Sequence, residues 1–379
     1  MKRKTITGIL TIIGILFFAV IPFAHSESIP FDSDRWEFHA KEKKVENYLG
    51  RKSLYLGKGG MALIKDSQFT NGIIECDIAF SQKRGFSGVV WRVQDGANYE
   101  KFYLRPHQSG NPDANQYTPV FNHSSAWQLY YGKEYSAPVK YRFDQWNHVR
   151  IVVSGKQAEI YINDMEAPAF TVNELKREVN AGKVGIWGQA GFPGLAGSHF
   201  ANFSYTSIDN PTLKGVFEKI KTAAPGAIMS WDVSDSFPGD KLKNKLILSK
   251  EDLARIKWHR LDSEQSGLAN LARVQDPKKG NTVFVRVEIN SDKAQVKPLQ
   301  FGFSDSVKVY FSGQLIYGGN DLFRSRDYRF LGTIGYYDTL YLPLLNGKNE
   351  LIMAVSEKFG GWGVQARFAD MTGISLRKF

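Results

Sequence analysis

Short runs of β-branched and aromatic residues recur along most of the chain, separated by turn-forming Gly, Asn, Asp or Pro residues. Such runs predict short antiparallel strands. The four residues Ser154-Gly155-Lys156-Gln157 between two of the runs predict a hairpin in which Gly155 supplies the turn conformation. In the first half, the predicted strands are 73–80, 88–93, 99–105, 149–153, 158–163, 184–187 and 200–205.

The same pattern resumes after a segment of different character at 206–227. That segment contains Asn210-Pro211 and Pro225-Gly226, with a short helical pattern of apolar residues between them. Helical turns are also predicted at 172–178 and at 251–256, where Ser249 can cap the second. The later predicted strands are 283–289, 299–303, 307–311, 314–317, 339–342, 350–355 and 364–368, with a tight turn at Ser312-Gly313.

These patterns predict an all-β protein with two antiparallel β-sandwiches (jelly rolls) in series. We expect a first sandwich at 27–207, a linker at 208–226 and a second sandwich at 227–379. Residues 1–26 predict a signal peptide, because Lys2, Arg3 and Lys4 precede an apolar run that ends at Ala24-His25-Ser26. The protein is therefore expected to be secreted or periplasmic. An uncleaved N-terminal anchor is the alternative, and only this alternative involves a membrane.

Composition narrows the function classes. With 379 residues, 42% hydrophobic and 13% aromatic, the chain is long enough for two folded domains and is not mainly disordered. Cys76 is the single cysteine, so no intrachain disulfide forms, and the histidines lack zinc-binding spacing. Net charge is +11, but the lysines are scattered and export argues against nucleic acid as a partner. We expect no cofactor; calcium is an alternative without a DxDxDG loop to support it.

One predicted strand carries an unusual face. Alternation along the segment 99–107 places five residues on one face: Tyr99, Lys101, Tyr103, Arg105 and His107. A loop rich in amides and aromatic residues is expected to follow at 108–127. Aromatic planes stack on pyranose rings, and amides or guanidinium groups bond sugar hydroxyls and acids. The predicted ligand-binding residues are Arg92, Tyr99, Lys101, Tyr103, Arg105, His107, Asn115, Gln116, Trp127, Gln128 and Tyr130.

The alternative is that the tyrosines pack under the loop and the cations only rim the sheet. In that case the same residues are structural, and nothing binds there.

The strands of the first half resemble those of concanavalin A-like (laminin-G-like) sandwiches over roughly 30–207. This resemblance implies the sandwich fold and leaves the function open, since the fold serves lectins, glucanases and adhesion modules. The same strands are also similar to bacterial 3-keto-disaccharide hydrolase-like domains, which implies an association with sugars. The segments that carry the resemblance are FTNGIIE at 69–75, GVVWR at 88–92, NYE at 98–100, WNHVR at 146–150, IYIND at 160–164 and FANFSY at 200–205.

A catalytic motif of retaining glucanases is only half present. These enzymes resemble one another in an E-x-D-x-E or E-x-D-x-x-E strand, whereas this chain has Glu75 and Asp77 followed by Ala79 and Phe80 at the third position. We therefore expect Glu75 and Asp77 to lie on the solvated side of the strand, with Ile74, Cys76, Ile78 and Phe80 in the core. If the protein is an enzyme, Glu75 and Asp77 are the candidate catalytic residues.

The second half resembles the galactose-binding-like jelly roll found beside family 2 glycoside hydrolase barrels. The hairpin VKVYFSG at 307–313 matches the pattern V-x-V-Y-x-N-G, except that Ser312 stands in place of Asn. Trp362 lies between glycines in the segment 359–363 and is the candidate binding residue of this half. It either forms a stacking platform on an open loop or closes one end of the sandwich.

The function we favour is an exported carbohydrate-binding protein that recognises a glycan or polysaccharide through a concave sandwich face without cleaving it. One alternative is a glycoside hydrolase or lyase acting on a polysaccharide or disaccharide. A second alternative is a cell-surface adhesion module that binds another protein.

Overall fold

The computed structural model describes residues 27–189 and 193–377. The predicted signal peptide at 1–26 lies outside the described residues. In the first half, the strands are β1 Glu27–Ser28, β2 Trp36–Ala40, β3 Lys43–Tyr48, β4 Arg51–Leu56, β5 Gly60–Ile64, β6 Gly72–Ala79, β7 Ser87–Asp95, β8 Asn98–Leu104, β9 Asn115–Phe121, β10 Ser124–Ser125, β11 Trp146–Ser154, β12 Gln157–Ile162, β13 Phe170–Val172, β14 Lys183–Gly188 and β15 Ser198–Ser207.

The described part of the second half is also built from strands, with one short α-helix and two 3-10 turns. Its elements are β16 Ser230–Ser234, α1 Lys250–Ala254, β17 Trp258–Asp262, β18 Ala269–Asn270, β19 Thr282–Ser291, β20 Gln295–Ser304, β21 Ser306–Phe311, β22 Gln314–Asn320, β23 Asp338–Leu344, β24 Gly347–Ser356, β25 Gly363–Phe368 and β26 Ile374–Leu376. The predicted all-β class is confirmed, because strands dominate and every strand pair is antiparallel.

Two sheets form the first sandwich. The outer sheet has the order β13-β12-β11-β6-β15-β4-β3, with β1 added to β15, and the facing sheet has the order β10-β9-β8-β7-β14-β5-β2. Alternating apolar side chains from both sheets form one buried core, which includes Ile74, Trp91 and Phe102. Each sheet therefore turns its other side chains away from this core, and these two outward faces carry the candidate sites.

The second sandwich is organised in the same way. Its sheets have the orders β17-β16-β19-β24-β21-β22, with β26 added to β19, and β18-β25-β20-β23. Its core includes Trp231, Phe301 and Trp362. The exact domain limits at 27–207, 208–226 and 227–379 remain predictions.

The predicted strands, hairpin and helices can be compared with the observed elements one by one. All predicted strands are present, and the hairpin at Gly155 joins β11 and β12. Helix α1 is confirmed with a full capping box, in which Ser249 accepts from the Asp252 amide. The predictions of helix at 172–178 and in the linker were wrong, because these segments run as strand β13 and irregular chain over the outer sheet.

The prediction of an amide-rich loop over 108–127 was also wrong. The centre of this segment forms strand β9, and residues 115–120 of this strand pair with residues 99–104 of β8. On a strand successive side chains point to opposite sides of the sheet, so the amide side chains of β9 do not all face one ligand as those of a loop could.

The chain that follows β10 packs against the second sandwich. The Gln128 amide donates to the carbonyl of Leu331 at 2.8 Å, and the Tyr130 hydroxyl contacts Glu264. Ala126, Leu129, Tyr130, Leu268 and Ile334 bury one another at this junction. Within the described ranges 27–189 and 193–377, no helix combines the length and apolarity needed to traverse a lipid bilayer.

Candidate functional site

Side chains of β8 alternate as predicted. Glu100, Phe102 and Leu104 point toward the first core, and Tyr99, Lys101 and Tyr103 point to the opposite side. Pairing places Tyr103 beside Gly88 of β7 on one flank and Gln116 of β9 on the other. Trp187 of β14 is also paired with Gly88, so Tyr103 and Trp187 flank this glycine from the two neighbouring strands. A side chain at Gly88 would collide with the carbonyl of Phe102.

Three aromatic rings therefore form a continuous row on this face. The centroids of Tyr103 and Trp187 are 5.7 Å apart, and those of Phe86 and Tyr103 are 6.0 Å apart. His107 continues the row, with its ring 5.2 Å from Phe86. We call Phe86, Tyr103, Trp187, His107, Lys101 and Arg105 the ring face. Phe86 and His107 are half-buried, whereas Tyr103 and Trp187 are buried.

Lys101 is the most unusual group of the ring face. Its residue is 2% exposed, and its ammonium lies 4.1 Å from the Trp187 ring centroid and 5.2 Å from that of Tyr103. Its hydrogen bond goes to the Ser125 hydroxyl at 3.0 Å, and within the part of the chain that the structure describes no carboxylate pairs with it. Burial and the neighbouring Arg105 guanidinium lower the pKa of Lys101 to about 7.

Arg105 is held by groups of its own strand pair. Its guanidinium donates to the Tyr103 hydroxyl at 2.7 Å, to the carbonyl of Asp113 at 2.8 Å and to the side-chain oxygen of Gln116. Tyr103 in turn donates to the same Gln116 oxygen at 3.3 Å. These bonds fix the orientation of the Tyr103 ring, the central ring of the row, before any ligand arrives.

His107 has an unused hydrogen-bonding atom. Its Nδ1 is buried and has no partner among the described residues. Burial, with Arg84 and Arg105 nearby, lowers the pKa of His107 to about 4, so the ring is neutral at pH 7. A neutral imidazole with a free nitrogen can bond a hydroxyl group.

Several predicted site residues lie away from the ring face. The Asn115 side chain is buried on the core side of β9, where it brackets the backbone of Ala137. Arg92 sits at a bulge of β7 with a left-handed φ of 48°, and it donates to the carbonyls of Thr70 and Gly155. Both residues tie loops to the sandwich and are structural.

The residues predicted after β9 are placed at the junction. Gln128 and Tyr130 are buried between the two sandwiches, so they are corrected from ligand-binding to interface residues. Trp127 packs against Phe359 at 5.6 Å and Phe323 at 6.4 Å, both from the second half. Tyr99 lies on the same side as Lys101 but is buried beside Val120, and this burial raises its pKa.

Trp362 is not an open stacking platform. Its residue is 0% exposed, and its indole N–H donates to the carbonyl of Val355 at 3.1 Å inside the second core. The glycines beside it allow the chain to pass close to Gln128 and Leu129, where a side chain would collide. The alternative interpretation, that Trp362 closes the end of the sandwich, fits this position.

The carboxylates of the half motif lie on the opposite outward face. Ile74, Cys76, Ile78 and Phe80 are in the core as expected, and Glu75 and Asp77 point outward. Asp77 is nevertheless buried, because His148, Arg51 and Asn202 surround its carboxylate. Both carboxylates therefore lie on the outward side as predicted, but Asp77 is not exposed to solvent as expected.

His148 bridges these two carboxylates. Its Nδ1 lies 2.7 Å from Asp77, and its Nε2 lies 3.3 Å from Glu75. Hydrogen bonds to Asp77 and then to Glu75 raise the pKa of His148 to about 9. Arg150 also donates to Glu75 at 2.7 Å, and His148 and Arg150 together lower the pKa of Glu75. Glu75 is thus held as an anion in its ion pairs, which does not suit a general acid.

Sequence reasoning missed Trp187 and Phe86 as members of the ring face. Trp187 lay in a predicted strand, but its meeting with Tyr103 depends on the β14-β7-β8 order, which the sequence does not show. Among residues 27–189 and 193–377, no group of three or more His, Cys, Asp or Glu side chains is arranged to hold a metal ion.

Comparison with known proteins agrees with the first half of the sequence interpretation. Residues 31–207 match the family model of the 3-keto-alpha-glucoside-1,2-lyase-like domain. This match confirms the predicted resemblance for that region and associates it with carbohydrates. A search of curated proteins finds no match.

Three solved structures illustrate the likeness, each at low identity and over about half of this chain. The carbohydrate binding module CBM66 from Bacillus subtilis has 13% identity and a TM-score of 0.35, over 46% of this chain and 96% of that one. A putative glycosyl hydrolase from Parabacteroides distasonis has 14% identity and a TM-score of 0.30, over 46% and 89%. The β-glucanase of Bacillus licheniformis has 11% identity and a TM-score of 0.33, over 48% and 98%.

Proposed function

We propose that the protein is an exported carbohydrate-binding protein whose ring face recognises a glycan. The observation that carries this proposal is the fixed row of Phe86, Tyr103 and Trp187, with cationic and neutral donors beside it. Export rests on the sequence of residues 1–26 alone.

The chemistry of the row suits a sugar. Aromatic planes accept the apolar C–H face of a pyranose, and the nearby polar groups can bond its hydroxyls. His107 offers a free nitrogen, and Phe86 and His107 are the accessible end of the row. The family match of residues 31–207 supports carbohydrate over another ligand class.

The test is a glycan array, followed by titration of the best glycan, with the full mature chain and two variants. Phe86→Ala removes an accessible ring, and we expect binding to weaken about 5- to 30-fold, the effect of about 1–2 kcal/mol. Tyr48→Ala is the matched control, since Tyr48 is a half-buried ring on the outer sheet. A blank array with folded protein, or equal loss in both variants, would reject the proposal.

A lyase is the second candidate, and Lys101 is the observation that favours it. A lysine with a pKa of about 7 is partly neutral at physiological pH and can act as a general base. In a 1,2-elimination from a 3-keto-glucoside, the base takes the C2 proton next to the ketone. The C2–H electron pair forms a C1–C2 double bond, the C1–O bond breaks, and the leaving oxygen takes up a proton.

A 3-keto-disaccharide assay separates the two candidates. A lyase releases a conjugated enone and a free sugar, and Lys101→Met should abolish this release. Lys183→Met is the control, because Lys183 pairs with Glu37 at 2.7 Å. Binding without enone release in the wild type would leave recognition as the function and reject the lyase.

A further inference from the structure

A cavity of about 390 Å³ lies on the outer sheet, away from the ring face. Strands β6, β11 and β12 form its floor, and the predicted linker passes over it as a roof. This volume is in the range of small-molecule sites. Its walls combine apolar side chains with a few polar groups, including Ile73, Val152, Met165, Arg150, Thr212 and Lys214.

The roof is tied to the sheet at both ends. At one end, the Ile208 amide donates to the carbonyl of Asn71 at 3.1 Å. At the other end, the amides of Lys214 and Gly215 both donate to the carboxylate of Glu159, which is 1% exposed. The cavity is therefore formed in advance of any ligand.

The cavity lining carries two cationic side chains, Arg150 and Lys214, and one carboxylate, Glu159. The Glu159 carboxylate also accepts from the Tyr161 hydroxyl at 2.7 Å, so three uncharged donors already occupy its oxygens. Arg150 contacts Glu75 through Nε alone, and none of the described residues accepts from its two Nη groups. The ammonium of Lys214 likewise has no carboxylate partner in the described part of the chain. Two cationic groups thus line the cavity with capacity for an anion.

We propose that this cavity binds a small organic carboxylate. The Nη edge of a guanidinium matches the two oxygens of a carboxylate, and Lys214 adds a second charge-assisted bond. Ile73, Val152 and Met165 would cover the apolar body of the ligand. The proposed function favours the terminal uronate of an acidic glycan as the molecule that carries this carboxylate. That choice rests on the proposed function, whereas the binding of a carboxylate rests on the cavity alone.

Calorimetric titration of the full mature chain with three probes tests the proposal: sodium glucuronate, sodium cyclohexanecarboxylate and glucose. We expect saturable binding of at least one carboxylate below about 10 mM and none of glucose. Arg150→Gln and Lys214→Gln should each weaken carboxylate binding by about tenfold or more. Lys214 is exposed on the roof, so its variant leaves the Glu75–His148 contacts intact.

Arg142→Gln is the control, because Arg142 is an exposed arginine of the same sandwich outside the cavity. No binding of either carboxylate, equal binding of glucose, or binding unchanged in both cavity variants would overturn the proposal. Phe86→Ala should leave carboxylate binding unchanged. Failure of the ring face and failure of the cavity are therefore separate results.

Discussion

The two outward faces of the first sandwich treat buried charge in opposite ways. On the ring face, Lys101 is enclosed by aromatic rings beside another cation, and its pKa falls to about 7. On the outer sheet, His148 lies between Asp77 and Glu75, and its pKa rises to about 9. In the sequence, Lys101 and His148 are both basic residues at outward positions of a strand. The alternation pattern alone therefore does not distinguish the two.

The difference bears on what each charged group can do at its own position. A buried cation without a carboxylate destabilises the fold, and such groups concentrate where function requires them. An ion-paired histidine stabilises the sheet and leaves little capacity for a ligand at its own position. The catalytic alternative at Glu75 and Asp77 is therefore weaker than chemistry at Lys101.

The largest expected effect comes from Lys101→Met. Between about pH 7 and 10.5 the unfolded chain holds the Lys101 proton and the folded chain does not, so this residue makes stability rise with pH. The variant removes the burial cost, and we expect it to be more stable than wild type at pH 6 by on the order of 3–5 kcal/mol. The gain should shrink toward zero near pH 10, as measured by urea unfolding at each pH.

Arg84→Met provides the comparison, since Arg84 is an exposed cation beside Phe86. We expect its effect to stay within about 0.5 kcal/mol at all pH values. If Lys101→Met destabilised the protein equally at pH 6 and pH 10, the enclosed-charge description of the ring face would be wrong.

We expect His148 to change stability with pH in the opposite direction to Lys101, and by a smaller free energy. Its folded pKa is raised, so its contribution is complete below about pH 6.5 and is lost as pH rises through about 9. Because the side chain is partly exposed, we expect only about 1 kcal/mol. In an NMR titration, Asp77→Asn should lower the His148 pKa more than Glu75→Gln, since the Asp77 contact is the shorter one. The reverse order would contradict the assigned contacts.

The smallest expected effect is the salt dependence of stability, which should differ between the His148 and Lys101 variants. Raising NaCl from about 0.05 M to about 1 M screens the partly exposed His148 pairs but reaches the enclosed Lys101 poorly. The stability difference between wild type and His148→Asn at pH 6 should therefore fall by about half, roughly 0.5 kcal/mol. The difference for Lys101→Met should stay constant, and equal salt sensitivity would remove the distinction between the faces.

Part of the candidate site followed from local pattern. The alternation in β8 correctly placed Tyr99, Lys101 and Tyr103 on one side, because a pleated strand leaves no other choice. The amide-rich segment was misjudged as a loop, since amides are poor strand formers and only pairing with β8 makes β9 a strand. Trp127, Gln128 and Tyr130 were assigned to a ligand because their contacts come from the second sandwich, which is distant in sequence.

The amino-acid sequence by itself determined the strand-rich architecture, because turn residues and alternating side chains are local signals that need no partner. It also determined which residues of β8 share a side. Only the tertiary structure decided that Trp187 and Phe86 join them, that Trp362 is enclosed, and that the linker roofs a cavity. The physical reason is that sheet order and sandwich docking are long-range choices, and whether a charge is paired or enclosed depends on which distant strands become neighbours.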